Sequence, residues 1–367
     1  MNDSANKIVG TGLIALDVLL RDESTAVYSA LGGSTGNVLA ILAHLKWNGF
    51  PVAQIGADNA GGCIREEFKS LGSDTRFLIN SDIVGTPVIY QWPGEEEKTH
   101  RFSFACPFCG SKKRFSDYVC NHELVNAVTE TVTSPQVFYF DRITPSALEL
   151  AKVYRDRGAI IMFEPSEIRG DDEGMHNALT LAHILKYADD RISDLAKFDL
   201  SNVSVEIQTL GAKGLYFRAP SLTTDWVELP AIKVPYISDT AGAGDWCSAG
   251  LLYYLFSNDK AIPSSIFSHN NLCEALRFGQ ALSALNCMYE GARGIMRHRS
   301  AIYITRAAKA LNKANLFDFS ALEIKSKQTS MQHYYKAAVN QRYRPNKFMQ
   351  NSNLCCEPLQ FININRF

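Results

Sequence analysis

Apolar residues fall along this chain in two alternating arrangements, short unbroken runs and sets spaced like one face of a helix. "KIVGTGLIALDVLL", "PVAQIGAD", "QVFYFD" and "AIIMFEPS" read as strands, while "TGNVLAILAHLKWNG", "GCIREEFKSLG" and "SALELAKVYRDRG" read as helices between them. Strands that recur with a helix between them are crossover units. They require a parallel sheet with helices on both faces, so the expected class is α/β, a three-layer sandwich. The helix expected over 35–48 carries Val38, Ile41, Leu42 and Leu45 at helical spacing, with Gly49 in place of a C-terminal cap.

Between Ile83 and Phe104 the alternation stops. "GTPVIYQWPGEEEKTHRFSF" reads as two strands around a Pro-Gly turn with no crossover helix, a hairpin projecting from the sheet. Further on, "AIYITRAAKALNKANLF" suits a helix, whereas 321–367 is polar and aromatic without a clear period. No internal repeat or low-complexity linker divides the chain. The expected layout is one domain over 1–320 with a small β appendage, followed by a C-terminal extension over 321–367.

The 367 residues are 46% apolar, enough for a substantial core, and 37 basic residues stand against 38 acidic ones. A balanced chain with a pI near 6.7 has no global field to draw nucleic acid or an anionic membrane surface, so neither is an expected partner. The start "MNDSANKIVGTG" lacks a secretory h-region, and no run approaches the roughly 20 apolar residues of a membrane span. A soluble cytoplasmic protein is expected. Nine cysteines, most of them scattered singly, show no disulfide framework.

The candidate chemistry lies in "ISDTAGAGDWCSAGLLYYLF", 237–256, where small residues and an acid precede an apolar helix. A helix N-terminus presents unpaired backbone N–H groups and a partial positive charge, and glycine and alanine there let an anion reach the bare backbone. Gly242, Ala243 and Gly244 suit such an anion site. Asp245 is then either a helix cap or a general base that takes a proton from a hydroxyl during phosphoryl transfer.

"DTAGAGD", Asp239 to Asp245, resembles the D-T-x-G-A-G-D signature of the ribokinase-like (PfkB) family of sugar and nucleoside kinases. "LGGSTGNVLAILAHLKWNGFPVAQIGADNAGG" is similar to that family's first signature, with Gly32, Gly33, Asn37, Gly56, Asp58 and Gly61 in the expected places. The resemblance runs over about 7–310. It implies a ribokinase-like α/β/α sandwich with its active site at the carboxyl ends of the parallel strands, under a small β lid built from about 14–28 and 83–104.

It also implies ATP-dependent phosphorylation of a hydroxyl of a sugar or related polyol, with Asp245 as base. Asp17 in "GLIALD" is placed like the acid that binds substrate hydroxyls, with Gly32, Gly33 and Asn37 as further substrate contacts, or as an ordinary helix entry. Thr209, Gly211 and Gly214 in "IQTLGAKG" resemble the strand and turn that flank the nucleotide. Asn286 and Gly291 lie in the segment that closes over the base, with a buried helix polar residue and its cap as the alternative. Mg2+ follows from the phosphate charge, but the family's N-x-x-E element is altered here. In "KYADDRISDL" Ala188 stands where Asn or Ser is expected, which leaves Asp189 or Asp190 beside Arg191, and Asp190 is the candidate for the metal. Glu164 in "FEPS" is a further candidate acid.

Two readings stay open on the same fold. One is a nucleoside kinase whose substrate base stacks on lid aromatics such as Tyr90 or Trp92; the other is a non-catalytic nucleotide or sugar sensor. A homodimer formed through exposed lid edges is also expected. Outside the family pattern, "FACPFCGSKK" places Cys106 and Cys109 in a C-x-x-C turn, half of a tetrahedral zinc site. Cys355 and Cys356 in "NLCCEP", or His100 or Cys120, are candidates to complete it, two free thiols being the other reading.

Overall fold

The computed structural model describes residues 5–314, apart from 21–25, 93–100, 108, 113–121, 169–171, 193–194, 220–224 and 257–265. The first half of the main sheet is laid down by β1 (Lys7–Thr11), β4 (Asn48–Gly56), β5 (Leu78–Ser81), β8 (Val137–Phe140) and β9 (Ile160–Phe163). Its second half is β10 (Ile184–Ala188), β11 (Val205–Thr209), β12 (Gly214–Arg218) and β13 (Val227–Pro230). The strand order is β13-β12-β11-β10-β9-β8-β1-β4-β5. Every pair is parallel except β11–β12 and β12–β13, which form an antiparallel edge. The helices are α1 (Ser34–His44), α2 (Asn59–Ser70), α3 (His122–Thr131), α4 (Pro145–Asp156), α5 (Asp172–Leu181), α6 (Ala243–Leu255), α7 (His269–Cys287) and α8 (Ala301–Ala314).

Alternation along the buried strands sorts side chains between two cores. Val137 and Tyr139 of β8, with Ile160 and Met162 of β9, face the core shared with α1, α6 and α7. Phe138, Phe140, Ile161 and Phe163 face the core shared with α3, α4 and α5. The three-layer arrangement follows from that split. Helices α6 and α7 meet through glycine, since a Cβ on Gly250 would lie 2.6 Å from the Cα of Gly279.

A second sheet has the order β3-β2-β6-β7, with β2 (Ala15–Leu20), β3 (Ala26–Gly32), β6 (Val88–Trp92) and β7 (Arg101–Ser103). The single lid strand expected over 14–28 is instead an antiparallel pair, β2 with β3. Asp17 sits in the middle of β2 rather than after a strand. The lid's two faces differ: Leu16, Val18, Leu31, Val88, Tyr90 and Trp92 pack into the main core, while Asp17 and Leu19 point the other way.

The expectation at Gly49 is corrected. Helix α1 ends at His44, and the left-handed position falls on Lys46 (φ 76°), so the chain has already turned when Gly49 enters β4. Asp58 caps α2 through Gly61 N–H at 2.8 Å and also accepts from the N–H and hydroxyl of Thr86, at 2.9 and 2.6 Å. It therefore ties the helix start to the segment that leads into β6.

Candidate active site

The carboxyl ends of neighbouring parallel strands deliver a set of polar groups to one place. Because side chains alternate, Tyr139 and Asp141 at the end of β8, Glu164 after β9 and Lys186 on β10 all lie on the side that faces α6. Lys186 is 2% exposed and forms an ion pair with Glu164. The other oxygen of Glu164 accepts from Tyr139 Oη at 3.1 Å and from Ser248 Oγ of α6 at 2.6 Å. Burial alone would lower the Lys186 ammonium's proton affinity, but Glu164 outweighs it and holds it above its ordinary value.

Above this floor lies the turn into α6. Gly242 is the N-cap in the left-handed region (φ 71°), with no side-chain cap, and a Cβ there would overlap the backbone of Ala292. Asp245 is thus not the cap. It stands in the first turn, where Asn37 Nδ2 of α1 donates to its Oδ2 at 2.8 Å. Burial first, then the charges of Glu164 and Asp141, push its carboxyl up to about 8, against the Asn37 hydrogen bond and the Lys186 charge.

The loop before α6 is clamped at both ends. Asp239 accepts from Ala241 N–H at 2.6 Å and from Gly291 N–H at 2.7 Å. Asn286, fully buried, donates to the carbonyls of Ala241, Gly291 and Ala292 at 3.4, 3.4 and 3.2 Å and accepts from Ile295 N–H at 3.3 Å. Trp246 Nε1 donates to Ala292 O at 2.9 Å. Asn286, a cofactor candidate by sequence, directs its side chain into the protein, where it braces two loops. Gly291 lies under the lid, against Tyr28 of β3.

Of the substrate candidates, Asn37 touches Asp245, and Asp17 lies against Gly32. Gly33 (φ 77°) turns the chain from β3 into α1 where a Cβ would overlap Leu13 O, and a Cβ on Gly32 would overlap the Asp17 carboxyl. Asp17 Oδ1 and Asn37 Oδ1 are buried without a hydrogen-bond partner. Buried polar atoms are almost always satisfied, so these two open acceptors stand out among the described residues. Burial above all, with Glu67 adding to it and Arg293 and the Gly33 backbone opposing, pushes Asp17 up to about 7. A cavity of about 120 Å3 runs from Asp17 past Tyr28 and Glu67 to Arg293 and Arg297. Arg293, buried, donates to Leu31 O of β3 and pairs with Glu67 at 2.9 Å, while Glu67 accepts from Leu31 N–H at 2.7 Å. Both backbone groups of one lid residue are thereby held by this pair, which sequence reading missed.

Thr209 closes β11, its hydroxyl donating to Tyr187 O at 3.3 Å, and Gly211 starts the short 3-10 turn Gly211–Lys213. Gly214 opens β12, where a Cβ would overlap Leu229 O. Asp190 is exposed in the turn after β10. Among the described residues no group of three His, Cys, Asp or Glu could hold a metal. Cys106 is buried and Cys109 exposed in their turn, and His100, Cys120, Cys355 and Cys356 lie outside the described residues. Stacking of a base on Tyr90 or Trp92 is corrected: Tyr90 is fully buried and Trp92 is 8% exposed, both on the lid face that packs into the core.

Residues 145–299, which include the α6 turn, match the model described as pfkB family carbohydrate kinase. Over those residues, and in its fold, the chain is similar to the ribokinase-like pfkB carbohydrate kinases. Aminoimidazole riboside kinase of Salmonella typhimurium is 25% identical over 309 residues, covering 74% of this chain and 88% of the relative. Ribokinase from Giardia lamblia superposes with a TM-score of 0.68 at 16% identity, over 84% of this chain and 100% of that one. Fructokinase with bound ATP from Xylella fastidiosa gives 0.65 at 17%, over 84% and 99%. The nine-stranded sheet and separate lid sheet are those of the ribokinase-like fold.

Proposed function

We propose that this protein is an ATP-dependent kinase of a sugar or a sugar-bearing polyol, with Asp245 as general base. The observation that carries the reading is the Asn37–Asp245 hydrogen bond at 2.8 Å, with the open acceptor of Asn37 on the same side chain and that of Asp17 on the lid strand β2. A hydroxyl bound by Asn37 Oδ1 lies next to the Asp245 carboxyl in the first turn of α6. Asp245 takes its proton, and the 242–244 backbone meets the negative charge of the transferred group.

A nucleotide's phosphates fit this mouth. It has a left-handed glycine in place of a side-chain cap, and the Lys186 ammonium lies near Gly244. Residues 242–244 would hold the transferred phosphate, while Thr209, Gly211 and Gly214 stand at the β11–β12 turn as the nucleotide's other contacts. ATP supplies the phosphoryl group. Mg2+ would be held chiefly by phosphate oxygens, with Asp190 as the side-chain candidate.

The relatives named after fructose, ribose and aminoimidazole riboside make a free sugar or a riboside the substrate class. The latch of Arg293 and Glu67 occupies the β3 edge, so a dimer formed through the lid would use the β7 edge, where Arg101 and Phe102 are exposed. Zinc at Cys106 and Cys109 stays a proposal that needs ligands from outside the described residues. Among the described residues no helix is long and apolar enough to cross a membrane.

The test is ADP release from ATP and Mg2+ across a panel of sugars, sugar phosphates and nucleosides. Release that depends on one member and is lost in Asp245→Asn supports the kinase. Ligand binding without any release supports the sensor instead.

A further inference from the structure

Beneath the Asp245 turn lies a charge pair that the proposed phosphoryl transfer does not itself require. Lys186 and Glu164 are joined by an ion pair, and Glu164 is held by Tyr139 and Ser248, so neither charge can swing away. They also border the reaction space. A Cβ on Gly244 would have Lys186 Nζ at 3.6 Å and Glu164 Oε1 at 3.9 Å as its nearest neighbours, so the pair lies directly across from the anion-binding backbone. A buried charge pair gains little net stability over apolar residues of the same size, which makes a role in the site the more economical account of it.

We propose that Glu164 and Lys186 are positioning residues that set when Asp245 carries a proton, Glu164 strengthening its hold and Lys186 loosening it. This rests on the reading of Asp245 as the base. A base must be free of its proton when the hydroxyl arrives, yet bind the proton strongly once the hydroxyl gives it up. Glu164 supplies the second requirement, because a neighbouring negative charge favours neutral Asp245. The positive charge of Lys186 acts on Asp245 in the opposite sense and restores part of the first.

The groups that face Asp245 are few. From β8 and its end come Tyr139 and Asp141, from β9 Glu164, from β10 Lys186, and from α1 the neutral Asn37. On α6 itself, Cys247 is buried and its thiol is pushed up to about 11, first by burial, so it stays neutral near pH 8. Asp141 is engaged elsewhere, accepting from Leu13 N–H at 2.8 Å and from Thr35 Oγ1 at 2.9 Å and pairing with Arg142 at 3.3 Å. Tyr139, driven well above the usual tyrosine range chiefly by burial, stays neutral too. Glu164 and Lys186 are thus the two charges whose removal changes the field at Asp245 without breaking another network that holds Asp245.

The experiment is the pH profile of kcat/KM in the full chain, with whichever substrate supports ADP release. Glu164→Gln moves the ascending limb to lower pH and Lys186→Met moves it to higher pH, each by about one pH unit or more, a tenfold change in rate at a fixed pH on the limb. Lys186→Arg, which keeps the charge, returns it. The double variant E164Q/K186M removes both charges at similar volume, serves where a single variant fails to fold, and moves the limb downward. Limbs that stay in place while activity falls by one factor at every pH overturn the proposal. A second readout needs no catalysis: the pH dependence of the melting-temperature difference between each variant and its Asp245→Asn derivative reports the Asp245 titration directly. A shift there with no activity in any variant keeps the coupling and sinks the kinase reading; no shift there sinks the coupling alone.

Discussion

Asn37, in the first turn of α1, donates its side-chain amide to Asp245 Oδ2 in the first turn of α6, at 2.8 Å and across 208 positions of sequence. The amide holds the carboxyl and leaves its own carbonyl oxygen, buried, without a hydrogen-bond partner.

Replacing Asp245 by Asn preserves that geometry while removing the base. Turnover is expected to fall by at least about 10²-fold, the scale of lost general-base catalysis, while substrate and nucleotide affinities measured by calorimetry change little. Turnover equal to wild type overturns the assignment of Asp245.

The titration of Asp245 near 8 sets the pH dependence. Below it the carboxyl is mostly protonated and cannot accept a proton, so kcat/KM rises with pH through that region. Asn37→Ala removes a hydrogen bond that favours the ionised form and shifts the limb to higher pH. A profile that is flat from pH 6 to 9 contradicts the expectation.

Asp17 carries a stability cost with a defined sign. Its carboxyl titrates near 7 when folded against an ordinary value of 3.8, so between those values the folded chain binds more protons than the unfolded one, and stability falls as pH rises through that window. Asp17→Asn removes this loss. The variant should melt above wild type at pH 8, the gap closing toward pH 4, and should lose substrate binding.

Arg293 joins the loop after α7 to the lid edge through Glu67 and Leu31 O. Removing one member of a buried pair leaves the other charge uncompensated, so Arg293→Ala should cost about 3 kcal/mol in denaturant unfolding. Because Leu31 immediately precedes Gly32 and Gly33, the same change should raise KM for the substrate more than it lowers kcat. An unchanged KM would show that the latch holds only the fold.

Much of this protein was written locally. The apolar runs "VFYF" and "IIMF" read as strands covered on both faces, and "GAGD" before an apolar helix reads as a helix mouth suited to an anion, with Asp245 as its cap or as a base. Those features need no distant partner to be read. The same alternation also held a signal used only at Glu164, since an acid follows the runs as Asp141 and Glu164 and a lysine stands within the next as Lys186.

Tertiary structure decided the rest, because contacts between residues far apart in sequence leave no periodic trace. Only the folded chain shows that Asn37 reaches Asp245, that Asn286 braces two loops from inside, that Tyr90 and Trp92 face the core, and that Arg293 holds the lid. Local geometry fixes which groups a strand or helix can present. Packing fixes which of them meet, and burial without water is what turns that meeting into a shifted proton affinity at Asp245.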